Sequence, residues 1–302
     1  MSARAVSRYI ILIVLAVVLS LTTVIFGPLP MRLVRRCYGR NLFWLGFIAA
    51  SLGVAALVAL PYGLLVLALA VAVGVYAEIE EHGGSVFTSG FTATLTAIGL
   101  STVTVGVWAL RTKAHVIEDI RTELVPVVDK IAEMNSSATV SVDSIIQQLP
   151  SGMVIGVILG LAISLIAEAR MSRFMGVKPL STPVMVSEQL RLSSYRVPDI
   201  FIWLSIVSLF GGFFRHGVEV AEIISINALN VLVICYFFQG LAIASRAFRV
   251  YKISAFWRNL WYVILVLQLF LLVSLVGFAD FWLDFRERLA RRPAQPKGFK
   301  GF

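Results

Sequence analysis

Long apolar runs follow one another along this chain, and the charged residues gather between them. A helix that crosses the roughly 30 Å core of a bilayer needs about 20 apolar residues, because each residue advances about 1.5 Å. The pattern therefore predicts a multi-pass helical membrane protein. The main runs are 9–26, 42–60, 62–76, 86–110, 153–166, 200–214, 223–244 and 260–278.

The composition supports a membrane environment. Hydrophobic residues make up 59% of the 302 residues and charged residues 14%, against about 45–50% and about 25% in soluble domains. Lipid requires helices or a closed barrel, and barrel strands alternate in polarity, which these runs do not. We expect an all-α polytopic bundle of about eight membrane helices over 1–285, followed by a disordered basic tail over 286–302.

The net charge of +9 comes from basic clusters that flank the runs, at 32–40, 170–196, 246–258 and 286–292. Contact with anionic lipid headgroups and topology signalling explain this placement, so membrane lipid is the expected partner and nucleic acid is not. With eight spans, the basic cluster at 32–40 falls on the opposite side from Arg4 and Arg8. The orientation of the chain is therefore open at this level.

Catalytic and metal-binding patterns are absent from the sequence. The three histidines lie outside the apolar runs, and no HExxH, GxSxG or P-loop occurs. The two cysteines, Cys37 and Cys235, are interpreted as free thiols. We expect no catalytic residue, no metal and no cofactor, and hence no enzyme.

Two runs are separated only by a proline, Pro61. They form either a tight hairpin or one kinked helix, and the hairpin is favoured because 41–77 is far longer than one crossing requires. An acidic turn is expected after them, at 78–84.

The segment 113–148 differs from the rest because charges alternate with apolar residues at helical spacing. This pattern predicts an amphipathic connector that lies on the membrane or on a partner protein. Pro126 is expected to bend the helix, and residues 135–137 to interrupt it.

Small residues recur at every fourth position of the fifth run, which leaves one helix face without large side chains. Packing within the chain is the favoured use of this ridge, and oligomerisation is the alternative. Glu168 continues the same register and is expected to be solvated at the membrane edge, paired with Arg170 or Arg173. The ridge consists of Gly152, Gly156, Gly160 and Ser164.

Polar side chains inside the runs are the candidate ligand-binding residues. Asn227 and Asn230 share a helix face, and Gln239 lies about 14 Å beyond Asn230 along the same helix. Thr92 and Thr96 belong to a hydroxyl stripe on the fourth run. Such groups either bond neighbouring helices or line a wet cavity, and the sequence allows both.

Near the C-terminus, Asp280, Asp284 and Arg286 surround aromatic residues. This arrangement indicates a helix end with a local salt bridge, and the alternative is a docking patch or gate latch.

The segments 194–199, 227–230, 236–242 and 277–286 resemble the closing third of the YybS-like family of uncharacterised bacterial inner-membrane proteins. The resemblance implies the same localisation. It also implies a distant similarity to the substrate-binding membrane subunits of energy-coupling-factor vitamin transporters, which is a likeness of fold.

The leading hypothesis is a transporter, or its substrate-capture subunit, that binds a small polar molecule within the bundle. The competing hypothesis is a membrane scaffold or assembly factor that docks a partner protein, or a second copy, through 113–148 and the glycine ridge. An enzyme acting on lipid is the least favoured alternative.

Overall fold

A computed structural model describes residues 3–112, 116–134, 141–176, 194–213 and 219–291, and within these ranges the regular structure is helical. The all-α prediction is therefore confirmed. The helices are α1 Ala3–Thr23, α2 Pro28–Tyr38, α3 Arg40–Leu57, α4 Leu60–Glu81, α5 Val86–Thr112, α6 Val116–Met134, α7 Val142–Phe174, α8 Ile200–Phe213, α9 Glu219–Val250, α10 Ala255–Leu267, α11 Phe270–Leu283 and α12 Phe285–Arg291.

The chain forms two compact units, Met1–Met185 and Val186–Phe302. Unit 1 contains α1 to α7 and unit 2 contains α8 to α12.

Six of the described helices are long and apolar enough to cross a membrane: α1, α3, α4, α5, α7 and α9. A seventh span is possible if α10 and α11, which meet at a bend of 95°, cross together. Within the described residues this count is below the predicted number of about eight for two reasons. The run at 200–214 gives a helix of only 14 residues, or about 21 Å, and the run at 260–278 is broken between Leu267 and Phe270.

The predicted hairpin is present as α3 and α4. Pro61 lies in the first turn of α4, where a missing amide hydrogen costs little. A Cβ on Gly63 would lie 2.6 Å from the carbonyl oxygen of Ser51, and Gly74 contacts Trp44. Contacts near both ends of the pair show that the two helices pack antiparallel over their length.

The helix α2 runs back along α1 and does not lead away from it. Gly27 contacts Ser20 near the end of α1, whereas the Tyr38 hydroxyl donates to the carbonyl oxygen of Ala5 at 3.2 Å. The two helices are therefore antiparallel, and α3 begins beside the start of α1. The sequence predicted that 32–40 lies on the opposite side from Arg4, whereas the structure places both at the same end of unit 1. The prediction failed because it treated the short helix α2 as part of a loop between two spans.

The amphipathic segment forms α6, which ends at Met134, while the last part of the predicted connector belongs to α7. Pro126 lies inside α6 without ending it. Arg121 Nη2 is 2.7 Å from Asp143 Oδ1, which joins α6 to the first turn of α7. The predicted interruption at 135–137 lies outside the described residues.

The basic C-terminal segment begins as a helix. Residues 286–291 belong to α12, and Arg286 is half-buried there. The rest of the predicted tail, 292–302, and most of the basic connector at 170–196 lie outside the described residues.

Candidate functional site

Three arginines of the short helix α2 point into unit 1. Arg32 is 1% exposed and Arg35 is 5% exposed, although α2 has only 11 residues. The helix is packed on several sides, with Pro28, Met31 and Val34 buried along with the arginines. A guanidinium in such a place requires partners, because its desolvation is costly.

Arg32 has a carboxylate on each side of its guanidinium. Its Nε lies 2.6 Å from Glu168 Oε2 on α7, and its Nη2 lies 2.7 Å from Glu80 Oε2 on α4. The Tyr76 ring lies 5.1 Å from the guanidinium carbon and adds a cation–π contact.

The neighbouring arginines bind the same two helices. Arg36 Nε lies 3.0 Å from Glu168 Oε1, so Glu168 uses both carboxylate oxygens on arginines of α2. Arg35 Nη2 lies 2.9 Å from Glu81 Oε2, and Arg40 Nε lies 3.2 Å from Glu78 Oε1. The ion-pair network consists of Arg32, Arg35, Arg36, Arg40, Glu78, Glu80, Glu81 and Glu168, and its formal charges cancel. Its centre is buried, whereas Arg40 and Glu81 are exposed at its edge.

The network corrects three interpretations of the sequence. Glu168 is 8% exposed and pairs with α2, whereas we expected a solvated residue paired with its own helix. Arg32 and Arg35 are buried, so they do not face lipid headgroups. The glutamates of the expected acidic turn belong to the last turn of α4 and bind arginines. The partners come from distant segments, which local spacing does not predict.

Cys37 lies beside this network. Burial raises the pKa of its thiol to about 11, and the negative charge of Glu168 adds to the effect. Both cysteines are free and buried, as the sequence indicated.

In unit 2, the side chain of Gln239 joins three segments. Its Oε1 accepts from the backbone N–H of Val197 at 2.8 Å, and its Nε2 donates to the carbonyl oxygen of Gly277 at 3.1 Å. Gly277 and Gly240 lack the Cβ atoms that would separate α9 from α11. A buried primary amide therefore has its hydrogen bonds satisfied by backbone groups at a close helix crossing.

Asp280 extends this arrangement on α11. Its Oδ2 accepts from Gln239 Nε2 at 3.4 Å and lies 3.0 Å from Arg286 Nε. Asp284 has a left-handed backbone (φ 45°) that ends α11, and the chain turns into α12 and brings Arg286 beside Asp280. Burial lowers the pKa of Arg286, while Asp280 opposes that shift. The predicted local salt bridge is therefore present.

A cavity of about 50 Å³ opens between these side chains. It is large enough for a few water molecules or one small polar group, and far below the roughly 300 Å³ of a pocket for a drug-sized ligand. Asp280 is 7% exposed, and its Oδ1 has no hydrogen-bond partner. The cavity is lined by Arg196, Val197, Asp199, Ile202, Tyr236, Gln239, Asp280, Phe281, Asp284, Arg286 and Glu287.

The other predicted ligand-binding residues lie elsewhere. Asn227 Nδ2 donates to the carbonyl oxygen of Ile223 in its own helix, and it lies about 18 Å from Gln239 along α9. Asn230, on the same helix, is partly buried. Thr92 and Thr96 belong to α5 in unit 1, where the Thr96 hydroxyl donates to the carbonyl oxygen of Thr92.

Only the second half of the small-residue ridge on α7 packs against other parts of unit 1. A Cβ on Gly160 would lie 2.8 Å from Pro28 Cγ, and Ser164 is fully buried with its hydroxyl bonded to the carbonyl oxygen of Leu161. A Cβ on Gly156 would meet only Val24, at 3.9 Å, and one on Gly152 would meet no atom within 4 Å.

Comparison with known proteins gives one family. The family model described as "Predicted membrane protein (DUF2232)" matches residues 7–281, which is more than nine-tenths of the chain. The chain belongs to this family. The match includes five of the six candidate spans of the described residues in full, the first span from residue 7 onward, and both polar clusters up to Asp280. No curated protein and no solved structure matches significantly.

No local pattern in the sequence indicates the ion-pair network of unit 1. The sequence does place four arginines at 32–40 just before the predicted hairpin and three glutamates at 78–81 just after it. A hairpin of two helices of similar length brings these two segments to the same end. Asp280 and Arg286 were visible as a charged pair, and Gln239 as a polar residue in an apolar run, but nothing local joined them into one site.

Proposed function

We propose that this protein binds a small polar solute in unit 2, as a transporter or the substrate-binding part of one, in a bacterial inner membrane. One observation carries the proposal: the buried carboxylate of Asp280 lines a cavity with Gln239 and Arg286 and keeps one oxygen without a hydrogen-bond partner. Buried ionisable groups are costly, and those that line a cavity are candidates for binding a ligand or an ion.

The charges around the cavity favour a cationic solute. Four carboxylates line it against two guanidinium groups, which leaves an excess of two negative charges. A protonated amine supplies the donor that Asp280 Oδ1 lacks, and Gln239 is held in place by backbone groups. Asp280 Oδ1 is enclosed, so the solute reaches it when the cavity opens. The acidic residues are Asp199, Asp280, Asp284 and Glu287, and the basic ones are Arg196 and Arg286.

The resemblance of the last third of the chain to the YybS-like family supports the same proposal. It implies a distant likeness to energy-coupling-factor substrate-binding subunits, which capture small molecules. The cavity of about 50 Å³ argues for a solute, or a solute head group, smaller than a vitamin. We also propose that the protein is not an enzyme, because the sequence carries no recognised catalytic motif.

The test is thermal unfolding of the purified protein with a panel of small amines and matched neutral polar solutes. We expect an amine to raise the Tm of the natural protein, and the rise to shrink in Asp284→Asn and Glu287→Gln, which line the cavity. Asp119→Asn, an exposed carboxylate on α6, is the control and should keep the full response.

Three results would contradict the proposal. The first is that no compound in the panel stabilises the protein. The second is that neutral solutes act as strongly as amines. The third is that the α6 control loses the response to the same extent as the cavity variants.

A second candidate function is a membrane scaffold, which the surface of α6 and the free end of the ridge favour. Ile117, Val127 and Ile131 on α6 are exposed, and Gly152 has open space beside it. Photocrosslinking from position 117, with exposed Thr122 on another side of α6 as the control position, should give one discrete protein adduct. Adducts with lipid alone, or equal adducts from both positions, would exclude this function.

A further inference from the structure

Four chain segments meet at one end of unit 1. Arg8 Nη1 donates to the carbonyl oxygen of Gly176 at 3.1 Å, which places the end of α7 beside the start of α1. The Tyr9 hydroxyl donates to the carbonyl oxygen of Leu42 at 2.7 Å, so α3 begins there too. The ion pair of Arg40 with Glu78 adds the end of α4. We call this the arginine end.

Basic residues are distributed unequally between the two ends. The opposite end consists of the end of α5, the helix α6 and the start of α7, and its basic residues within the described ranges are Arg111, Arg121 and Lys130. The side of a membrane protein that carries more lysine and arginine near its spans faces the cytoplasm. The arginine end holds Arg4, Arg8, Arg32, Arg35, Arg36, Arg40, Arg170 and Arg173.

Half of these arginines have their charge balanced by the ion-pair network, and the other half do not. Arg4, Arg8, Arg170 and Arg173 are exposed. In the described part of the chain, none of them lies within ion-pair distance of a carboxylate. Arg8 and Arg173 each donate one N–H to a carbonyl oxygen at the end of α7, which holds the guanidinium groups close to the helix ends.

We propose that Arg4, Arg8, Arg170 and Arg173 form a binding surface for anionic phospholipid headgroups in the cytoplasmic leaflet. Guanidinium groups bind phosphate oxygens in a fixed, often bidentate geometry. The four arginines lie at the start of one span and just beyond the apolar part of another, which is the level of the headgroups. The surface is independent of the cavity in unit 2.

The same assignment fixes the orientation of unit 1. The N-terminus, the turn between α2 and α3 and the turn after α4 face the cytoplasm. The acidic helix α6, which follows α5 across the membrane, faces the other side. The network at the arginine end is thus on the cytoplasmic side as well.

The lipid test compares the full-length protein in detergent with added phosphatidylglycerol or phosphatidylcholine. Phosphatidylglycerol should raise the Tm of the natural protein, and the rise should fall by more than half in a variant carrying Arg4→Gln, Arg8→Gln, Arg170→Gln and Arg173→Gln. The control carries Arg111→Gln, Arg121→Gln and Lys130→Gln at the opposite end and should keep the response.

Soluble glycerol phosphate separates a lipid headgroup from free phosphate, and it should have no effect. Equal stabilisation by glycerol phosphate, equal stabilisation by phosphatidylcholine, or loss of the response only in the control variant would each overturn the proposal. A quadruple variant that does not fold is replaced by the pairs Arg4→Gln with Arg8→Gln and Arg170→Gln with Arg173→Gln, each expected to lose part of the response.

The orientation test uses a membrane-impermeant maleimide on spheroplasts. The natural cysteines are buried and provide the unlabelled background. His82→Cys lies in the turn after α4 and Glu123→Cys lies on α6, and both positions are exposed. Position 123 should react in intact spheroplasts, and position 82 only after lysis. The reverse pattern would place the arginine end outside and overturn the proposal.

Discussion

Arg32 and Glu168 are 136 positions apart in the sequence, and Arg32 Nε lies 2.6 Å from Glu168 Oε2 inside unit 1. The contact joins α2 to α7, and Arg36 doubles it on the second oxygen of the same carboxylate. A buried carboxylate shared by two arginines is costly to remove, because both cations lose a partner at once.

Glu168→Gln should therefore destabilise the protein by roughly 3 kcal/mol, at the low end of the range for breaking a buried pair, since Glu80 still pairs with both arginines. The measurement is thermal unfolding in detergent micelles. Glu123→Gln, an exposed carboxylate on α6, is the control and should change the Tm little. Equal Tm values for the two variants would show that the network contributes nothing.

The crossing of α9 and α11 should be sensitive to a single methyl group. A Cβ on Gly277 would lie 2.8 Å from Gly240 N and would overlap the carbonyl oxygen of Tyr236. Because backbone atoms cannot move aside cheaply, Gly277→Ala should cost about 2 kcal/mol or more.

The control for this crossing is Gly99→Ala on α5, where no atom lies within 4 Å of the new Cβ. It should leave the Tm unchanged or slightly raised, since alanine favours helix more than glycine does. A Gly277→Ala variant as stable as the natural protein would mean that α9 and α11 do not approach this closely.

Gln239→Leu should be more damaging than Asn227→Leu, although both replace an amide in α9. Leucine at 239 leaves the buried N–H of Val197 without a partner, at a cost of about 1–3 kcal/mol. Asn227 donates to a carbonyl of its own helix, and that carbonyl keeps its helical bond. Chemical or thermal unfolding of the two variants compares them directly, and a larger loss for Asn227→Leu would contradict the assignment.

The stability of unit 1 should fall at high pH because of Cys37. The pKa of this thiol is about 11 in the folded protein against an ordinary value of 9.0. The unfolded chain thus loses its proton first as the pH rises, so the contribution is complete below pH 9 and is lost between pH 9 and 11. Unfolding from pH 8 to 11 should show a steeper decline for the natural protein than for Cys37→Ala, and identical slopes would contradict the shift.

The helices that the sequence predicts best are those whose signal is local. Apolar length alone identified α3 and α4 as a hairpin around Pro61, and charge spacing alone identified α6. Long hydrophobic runs indicate that lipid surrounds the chain. In lipid the backbone must satisfy its own hydrogen bonds, so such runs form helices. Length also explains the overcount, since a run such as 200–214 is apolar without being long enough to cross.

The polar sites could not be predicted in the same way. Glu168 was assigned to its nearest arginines, yet it binds Arg32 and Arg36 because α2 turns back along α1. That turn lies between Thr23 and Pro28, where Val24 has φ 27°, and it is held by the contact of Gly27 with Ser20 and by the hydrogen bond of Tyr38 to Ala5. Three short-range features thus determine a long-range pairing, and no periodicity in the sequence reveals their combined effect.

The ion-pair network also imposes an order on biogenesis. The ribosome delivers the arginines of α2 long before Glu168 of α7. Until α7 is synthesised, Arg32 and Arg36 can pair only with Glu80 on α4. The ion pairs of unit 1 are therefore complete only after the seventh helix has arrived.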